Sequence, residues 1–205
     1  MAETVLAFDT SAAHCAAALL LPGGRVLPRL EPREKGQAER LMPLLEELLR
    51  EAGLGWSDLT RLAVGTGPGN FTGVRIAVAA ARGLALGLGI PAIGITRLEA
   101  LAFGLPRPIT VVEDARRGEV YVQGFGTETS EALLLDGSDL AHVVETAHVT
   151  GSAAGPSALP PAMPLAEAMA RLAAARDLPQ PRPAPFYLRG ADAAPPSDPP
   201  PVILP

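Results

Sequence analysis

Two short stretches of this chain combine residue types capable of chemistry. The first is Asp9-Thr10-Ser11, where an apolar run from Thr4 to Phe8 stops on a carboxylate and two hydroxyls. A carboxylate at a strand end in an open sheet can hold a magnesium ion or meet a phosphate. It can equally cap its own turn, and no second carboxylate stands at a spacing that decides between the two. The second stretch, Thr66-Gly67-Pro68-Gly69-Asn70-Phe71-Thr72-Gly73-Val74-Arg75, is a glycine-rich turn that runs into a helix. Backbone amides in such a turn can cradle an anion. Its spacing departs from both familiar phosphate-binding patterns. Gly73 is followed by Val74 and Arg75 instead of Lys and a hydroxyl residue, and the glycines miss the GxGxxG order of a dinucleotide site. A tight strand-to-helix corner that needs glycine for its backbone angles is the plainer reading of the run.

Other chemistry finds little footing. His14, His142 and His148 are scattered, with no histidine pair at helical spacing and no acidic partner at ligand spacing, so no metal site is expected. Ser11 has no histidine in a recognisable nucleophile arrangement, and Cys15 sits in an apolar strand that disfavours a thiolate. The 205 residues carry 17 Lys plus Arg against 22 Asp plus Glu, a formal net charge of −5. That balance disfavours gripping nucleic acid through phosphate neutralisation unless a partner supplies the basic surface. One cysteine excludes an intramolecular disulfide, and the early apolar run Cys15 to Leu21 is shorter than a membrane span. A soluble, cytoplasmic protein without a membrane role is expected.

The elements that must position these residues follow from periodicity. Thr4 to Phe8, His14 to Leu21 and Arg25 to Leu30 read as three antiparallel strands, the last two joined by the turn Pro22-Gly23-Gly24. Leu41, Leu44, Leu45, Leu48, Leu49 and Ala52 fall on one face of a helix over 38–52. A strand over 62–65 leads through the glycine-rich turn into a second helix reaching Leu88, built mostly from small residues, with Ile76, Ala80, Gly83 and Gly87 on one face and Ala77, Ala81 and Leu84 beside them. Glycine inside a helix costs about 1 kcal/mol relative to alanine, which suggests that another backbone passes close by. A strand over 91–95 follows, and Thr96 can cap a helix over 97–103.

After Pro106-Arg107-Pro108 the pattern restarts: strands are expected over 109–113, 119–125 and 133–135, a helix over 139–147, a strand over 149–152 and a helix over 164–176. The expected architecture is α/β, built from duplicated βββαβαβα lobes of which the second is shortened. The expected division is 1–105 for the N-terminal lobe, 106–190 for the C-terminal lobe and 191–205 for a proline-rich tail. Fourteen of the 22 prolines lie from Pro156 onward. Phe186-Tyr187-Leu188-Arg189 interrupts this proline-rich region and could dock on the body.

Four blocks resemble the bacterial TsaB (YeaZ) family of threonylcarbamoyladenosine tRNA modification. They are Leu6-Ala7-Phe8-Asp9-Thr10-Ser11, the run from Gly65 to Ile76, Asp114-Ala115-Arg116-Arg117-Gly118-Glu119-Val120-Tyr121, and Tyr187-Leu188-Arg189-Gly190-Ala191-Asp192. The resemblance implies an actin-like ATPase fold. It further implies a non-catalytic partner of TsaD, the subunit that transfers the threonylcarbamoyl group to N6 of adenosine 37 in tRNAs reading codons that begin with A. TsaE and TsaC complete the pathway. By this resemblance Leu41, Leu44, Leu45, Leu48, Ile76, Ala77 and Ala80 become the expected partner interface, with a homodimer through the same helices when TsaD is absent. The family loop is represented by Gly67, Pro68, Gly69, Phe71, Thr72, Gly73 and Arg75. Asp9, Thr10 and Ser11 remain candidates for a nucleotide or phosphate contact. No cofactor is implied for the chain itself, ATP or ADP would bind at the complex interface, and tRNA would be met only through the complex.

Two departures bear on these expectations. Gln37 stands where many relatives carry a histidine, which argues further against a metal, and Gly151-Ser152-Ala153-Ala154-Gly155 is looser than the usual glycine motif. The competing readings are an ATP-dependent kinase or ATPase of the same fold, which would need a phosphate loop in both lobes, and a peptidase acting on a partner protein.

Overall fold

Strand β1 (Val5–Asp9) is buried along its whole length, because both faces of the sheet it centres are covered. In the computed structural model, which describes residues 3–144 and 147–190, β1 pairs antiparallel with β2 (His14–Leu20), and β2 with β3 (Val26–Pro32). On its other side β1 runs parallel to β4 (Arg61–Gly65), which runs parallel to β5 (Ala92–Ile95), giving the order β3-β2-β1-β4-β5. The expected tail over 191–205 lies outside the described residues.

The period-2 alternation of β1 divides the core into two layers. Leu6 and Phe8 face α1 (Gln37–Glu51) and α2 (Phe71–Leu88), in a cluster with Leu19, Leu44, Leu45, Leu48 and Val74. Val5 and Ala7 face the opposite way, with Ala16, Ala18 and Ala63, onto Met169, Ala170 and Ala173 of α4 (Leu165–Ala175). A helix that follows the second sheet in the chain therefore packs on the first. Arg61 donates to Ala173 O in the last turn of this helix at 3.0 Å and to Arg176 O just beyond it at 2.6 Å. Arg176 in turn grips both carboxylate oxygens of Glu99 in α3 (Arg97–Ala102), at 2.6 and 2.7 Å. Thr96 caps α3 as expected, its hydroxyl accepting the Glu99 amide.

The second sheet repeats the strand pattern of the first. Its strands are β6 (Ile109–Arg116), β7 (Glu119–Phe125), β8 (Leu133–Asp136) and β9 (His148–Thr150), in the order β8-β7-β6-β9. The β6–β9 pairing is parallel and matches β1–β4. Arg116, Arg117 and Gly118 all take positive φ, the geometry of a two-residue hairpin turn. Of the helix expected over 139–147, the described residues form the 3-10 turn Gly137–His142 and its continuation to 144, while 145–146 lie outside the described residues. Val143 and Val144, inside the expected range, are poor helix formers, and Asp136 caps the turn through the Ser138 amide and hydroxyl. Two strand-rich lobes in these orders are the actin-like α/β fold.

By length and composition α2 is the one described helix that could cross a membrane. Here its Val74, Ala77, Val78 and Ala81 side is packed into the first core.

Candidate functional site

The glycine-rich run and the Asp9 loop are two sides of one contact. A Cβ on Gly73 would lie 1.9 Å from Thr10 O, one on Gly69 2.4 Å from Ser11 O, and one on Gly65 1.8 Å from Asp9 Oδ2. Thr10 donates its hydroxyl to Gly73 O at 2.7 Å, and the Asn70 amide donates to Ser11 O at 2.6 Å. Asn70 then caps α2 by accepting the Gly73 amide at 2.9 Å. Close approach accounts for these three glycines, to the Thr10 and Ser11 backbone at Gly73 and Gly69 and to the Asp9 side chain at Gly65, while Gly67, at φ +97, is the one in the run that needs an unusual backbone angle. Only glycine fits where the corner of α2 seats on the end of β1.

Asp9 is 1% exposed, and its Oδ1 collects three partners. The Ser11 amide lies at 3.0 Å, the Ser11 hydroxyl at 2.9 Å and His14 Nε2 at 2.8 Å. Burial alone would raise the Asp9 pKa, but the hydrogen bond and charge of His14, the charge of Arg97 and the Ser11 hydroxyl outweigh it and hold the carboxyl below its ordinary value. His14 was not expected at this site from its position in the sequence. The β1–β2 register, which pairs Asp9 with Ala16, folds the short turn back and brings it in. Ser11 and His14 both bond the same oxygen, and no hydrogen bond joins one to the other, so no serine–histidine proton relay forms. Asp9 Oδ2 has no partner among the described residues.

A second polar contact joins the lobes. Arg97 opens α3 and fixes its own amide on Gly67 O at 2.7 Å, while its Nε donates to Glu113 Oε2 at 2.7 Å. Glu113 Oε1 accepts the Ser152 amide at 2.7 Å. Neither Arg97 nor Glu113 stood out in the sequence, because they lie 16 residues apart in different lobes.

The segment around Tyr187 straps the two lobes together. The Phe186 amide donates to Thr66 O at 2.8 Å, and Arg82 Nε donates to Pro183 O at 2.8 Å. Tyr187 packs against Phe71 with ring centroids 5.0 Å apart, and Arg75 lies 3.8 Å over the Phe71 ring while donating to the Tyr187 hydroxyl. Arg189 pairs with Glu119 and donates to Ala115 O at 3.0 Å in the second lobe. Phe71 and Tyr187 remain 40% and 41% exposed. The docking expected of 186–189 is present.

A family model described as "TsaD: tRNA N6-adenosine threonylcarbamoyltransferase" matches residues 17–194. A solved structure described as "YeaZ from Pseudomonas aeruginosa" superposes with a TM-score of 0.71 at 32% identity, covering 84% of this chain and 91% of that one. The chain belongs to this family, in its TsaB (YeaZ) group. A second solved structure, described as an uncharacterized protein with similarity to peptidase YEAZ from Pseudomonas aeruginosa, gives a TM-score of 0.75 at 29% identity over 91% of this chain and all of that one. The TsaB proteins of Haemophilus influenzae and Escherichia coli are 42% and 38% identical over 123 and 122 residues, 58% and 57% of this chain. The chain spans 52% of the length of each of these two relatives.

For a TsaB chain, the expected interface needs correction. Leu41, Leu44, Leu45 and Leu48 are buried against the first sheet, and Ala77 with them, so none is available to a partner. The amphipathic stripe of α1 faces its own core. Of the seven, Ile76 and Ala80 keep partial exposure. The open side of α2 instead carries Ala79, Gly83, Leu86 and Gly87, and Leu86 is 81% exposed. A Cβ on Gly83 or Gly87 would meet nothing within 4 Å. The close-packed backbone expected beside these glycines is not found among the described residues.

Proposed function

We propose that this chain acts in threonylcarbamoyladenosine modification of tRNA as a non-catalytic partner that activates a TsaD-type transferase, docking through the open side of α2. The observation that carries this reading is the pair Gly83, inside α2, and Gly87, in its last turn, both exposed with open space around them. Gly83, inside the helix, lowers its stability by about 1 kcal/mol, and no packing among the described residues offsets that loss. A facing helix of another chain that approaches closely over Ile76, Ala80, Gly83 and Gly87 would offset it. A second copy of this chain would use the same face when TsaD is absent. tRNA is met through the transferase, in keeping with the net charge of −5, and TsaE and TsaC supply the other steps.

Catalysis by the chain itself has less support. Ser11 and His14 form no relay, and the Ser11 and Ser152 amides are taken by the chain's own carboxylates, Asp9 and Glu113, where a kinase or ATPase needs donors free for phosphate. We further infer that ATP or ADP, where it takes part, binds at the interface with the partner.

The test is reconstitution. TsaD, TsaC and TsaE with this chain should form the modified nucleoside, omission of the chain should abolish it, and the chain alone should form none. Undiminished activity on omission overturns the reading. Gly83→Arg should abolish association with TsaD by light scattering while the variant keeps its fold by circular dichroism.

A further inference from the structure

The junction between the lobes is closed by a buried carboxylate that the partner reading leaves unexplained. Glu113 is 5% exposed, in a strand whose neighbours Val111 and Val112 are fully buried. Burying a carboxylate is costly unless it is paired and hydrogen-bonded. Glu113 meets that condition by drawing one donor from each lobe, Arg97 Nε at 2.7 Å and the Ser152 amide at 2.7 Å. Both donors are held by their own backbone. The Arg97 amide is tied to Gly67 O. Gly151 has φ +113, and a Cβ there would lie 2.2 Å from Val112 O, so the loop carrying Ser152 is pressed against β6. The Ser152 hydroxyl accepts the Asp114 amide at 3.0 Å, which fixes the loop a second time. Arg97 Nη1 is buried without a partner among the described residues, so the same guanidinium holds a further donor in reserve. A guanidinium and a backbone amide converging on one point are the donor set of a small-oxyanion site.

We propose that the lobe junction is a small-oxyanion site, suited to a carboxylate or phosphate group, which the chain fills with its own Glu113, and that the filled site latches the two lobes. The tethered carboxylate outcompetes a free anion because it is already in place. This assignment is independent of the partner reading, and its test needs no partner.

Glu113→Ala empties the site. Thermal unfolding of this variant and of the unaltered chain is followed in sodium formate and in sodium phosphate, each against sodium chloride at equal ionic strength. In chloride the Tm of Glu113→Ala should fall by on the order of 5–10 °C. Formate or phosphate should recover about half of that fall while shifting the unaltered chain by no more than about 1 °C. The double variant Arg97→Ala/Glu113→Ala, which lacks the guanidinium, should gain nothing from either anion. An unchanged Tm for Glu113→Ala, or equal anion shifts in all three proteins, overturns the proposal. Should Glu113→Ala fail to fold, Glu113→Gln keeps the side-chain volume without the charge. Hydrogen exchange at the Ser152 amide should then rise about tenfold with β1 unchanged, and unaltered protection of Ser152 overturns the proposal.

Discussion

The two lobes share a strand pattern and differ in what covers it. The first sheet lies between helices, with α1 and α2 on one face and α4 on the other, and β1 is buried along its whole length. The second sheet has α3 and the segment around Phe186 and Leu188 on one face. On its other face Val112, Val120 and Val122 meet a 3-10 turn carrying Leu140 and the adjoining Val143 and Val144. The difference arises because the last helix crosses back to the first lobe, where Arg61 and Arg176 tie it down. Repeating a strand order does not repeat its cover, and the thinner lobe is held in place by contacts with the thicker one.

The sharpest way to break this comparison is a single methyl group. Gly73→Ala drives a Cβ into Thr10 O and must separate α2 from β1, so it should cost more than about 4 kcal/mol in urea unfolding. Gly155→Ala in the second lobe meets nothing within 4 Å and carries only the strain of a positive φ, about 1–2 kcal/mol. Equal losses would show that the loops are alike. Next come the cores: Leu45→Ala under α1 should cost about 2–5 kcal/mol. Leu140→Ala, half-buried over the second sheet, should cost about 1 kcal/mol.

Acid should also act on the first lobe. The folded Asp9 pKa lies below its ordinary value of 3.8, so its contribution is fully present above that pH and is lost as pH falls through the lower folded value. Asp9→Asn should therefore flatten the decline in stability measured between about pH 5 and 2, and an unchanged slope would remove Asp9 from the account. The smallest effect has the opposite sign and concerns the one side of the first lobe left bare. Gly83→Ala should stabilise the isolated chain by about 0.5–1 kcal/mol, since the new methyl meets open space. A loss of stability would mean that α2 is already packed there.

Much of the first lobe was legible beforehand. The apolar run ending at Asp9, the leucine stripe of α1 and the Thr96 cap all rest on local periodicity and turn chemistry, and each lies within about two residues of its expected place. The described part of the helix expected over 139–147 is a 3-10 turn instead, in keeping with the poor helix propensity of Val143 and Val144. The α1 leucines were assigned to a partner for another reason. A stripe of leucines has the same period whether it faces its own sheet or a partner, and only the sheet beneath α1 decides which.

What the sequence determined by itself is therefore local: strand order, most of the helices, the corner glycines and the family. The site was decided by tertiary structure. His14 reaches Asp9 through hairpin register, and Arg97 meets Glu113 and Ser152 only when the lobes close. Alpha4 covers a sheet about one hundred residues earlier in the chain, its Ala173 carbonyl bound to Arg61, 112 residues away. Periodicity records which side of an element is apolar and carries no information about which distant surface it will meet. That choice is made by complementary packing and by the pairing of buried charges.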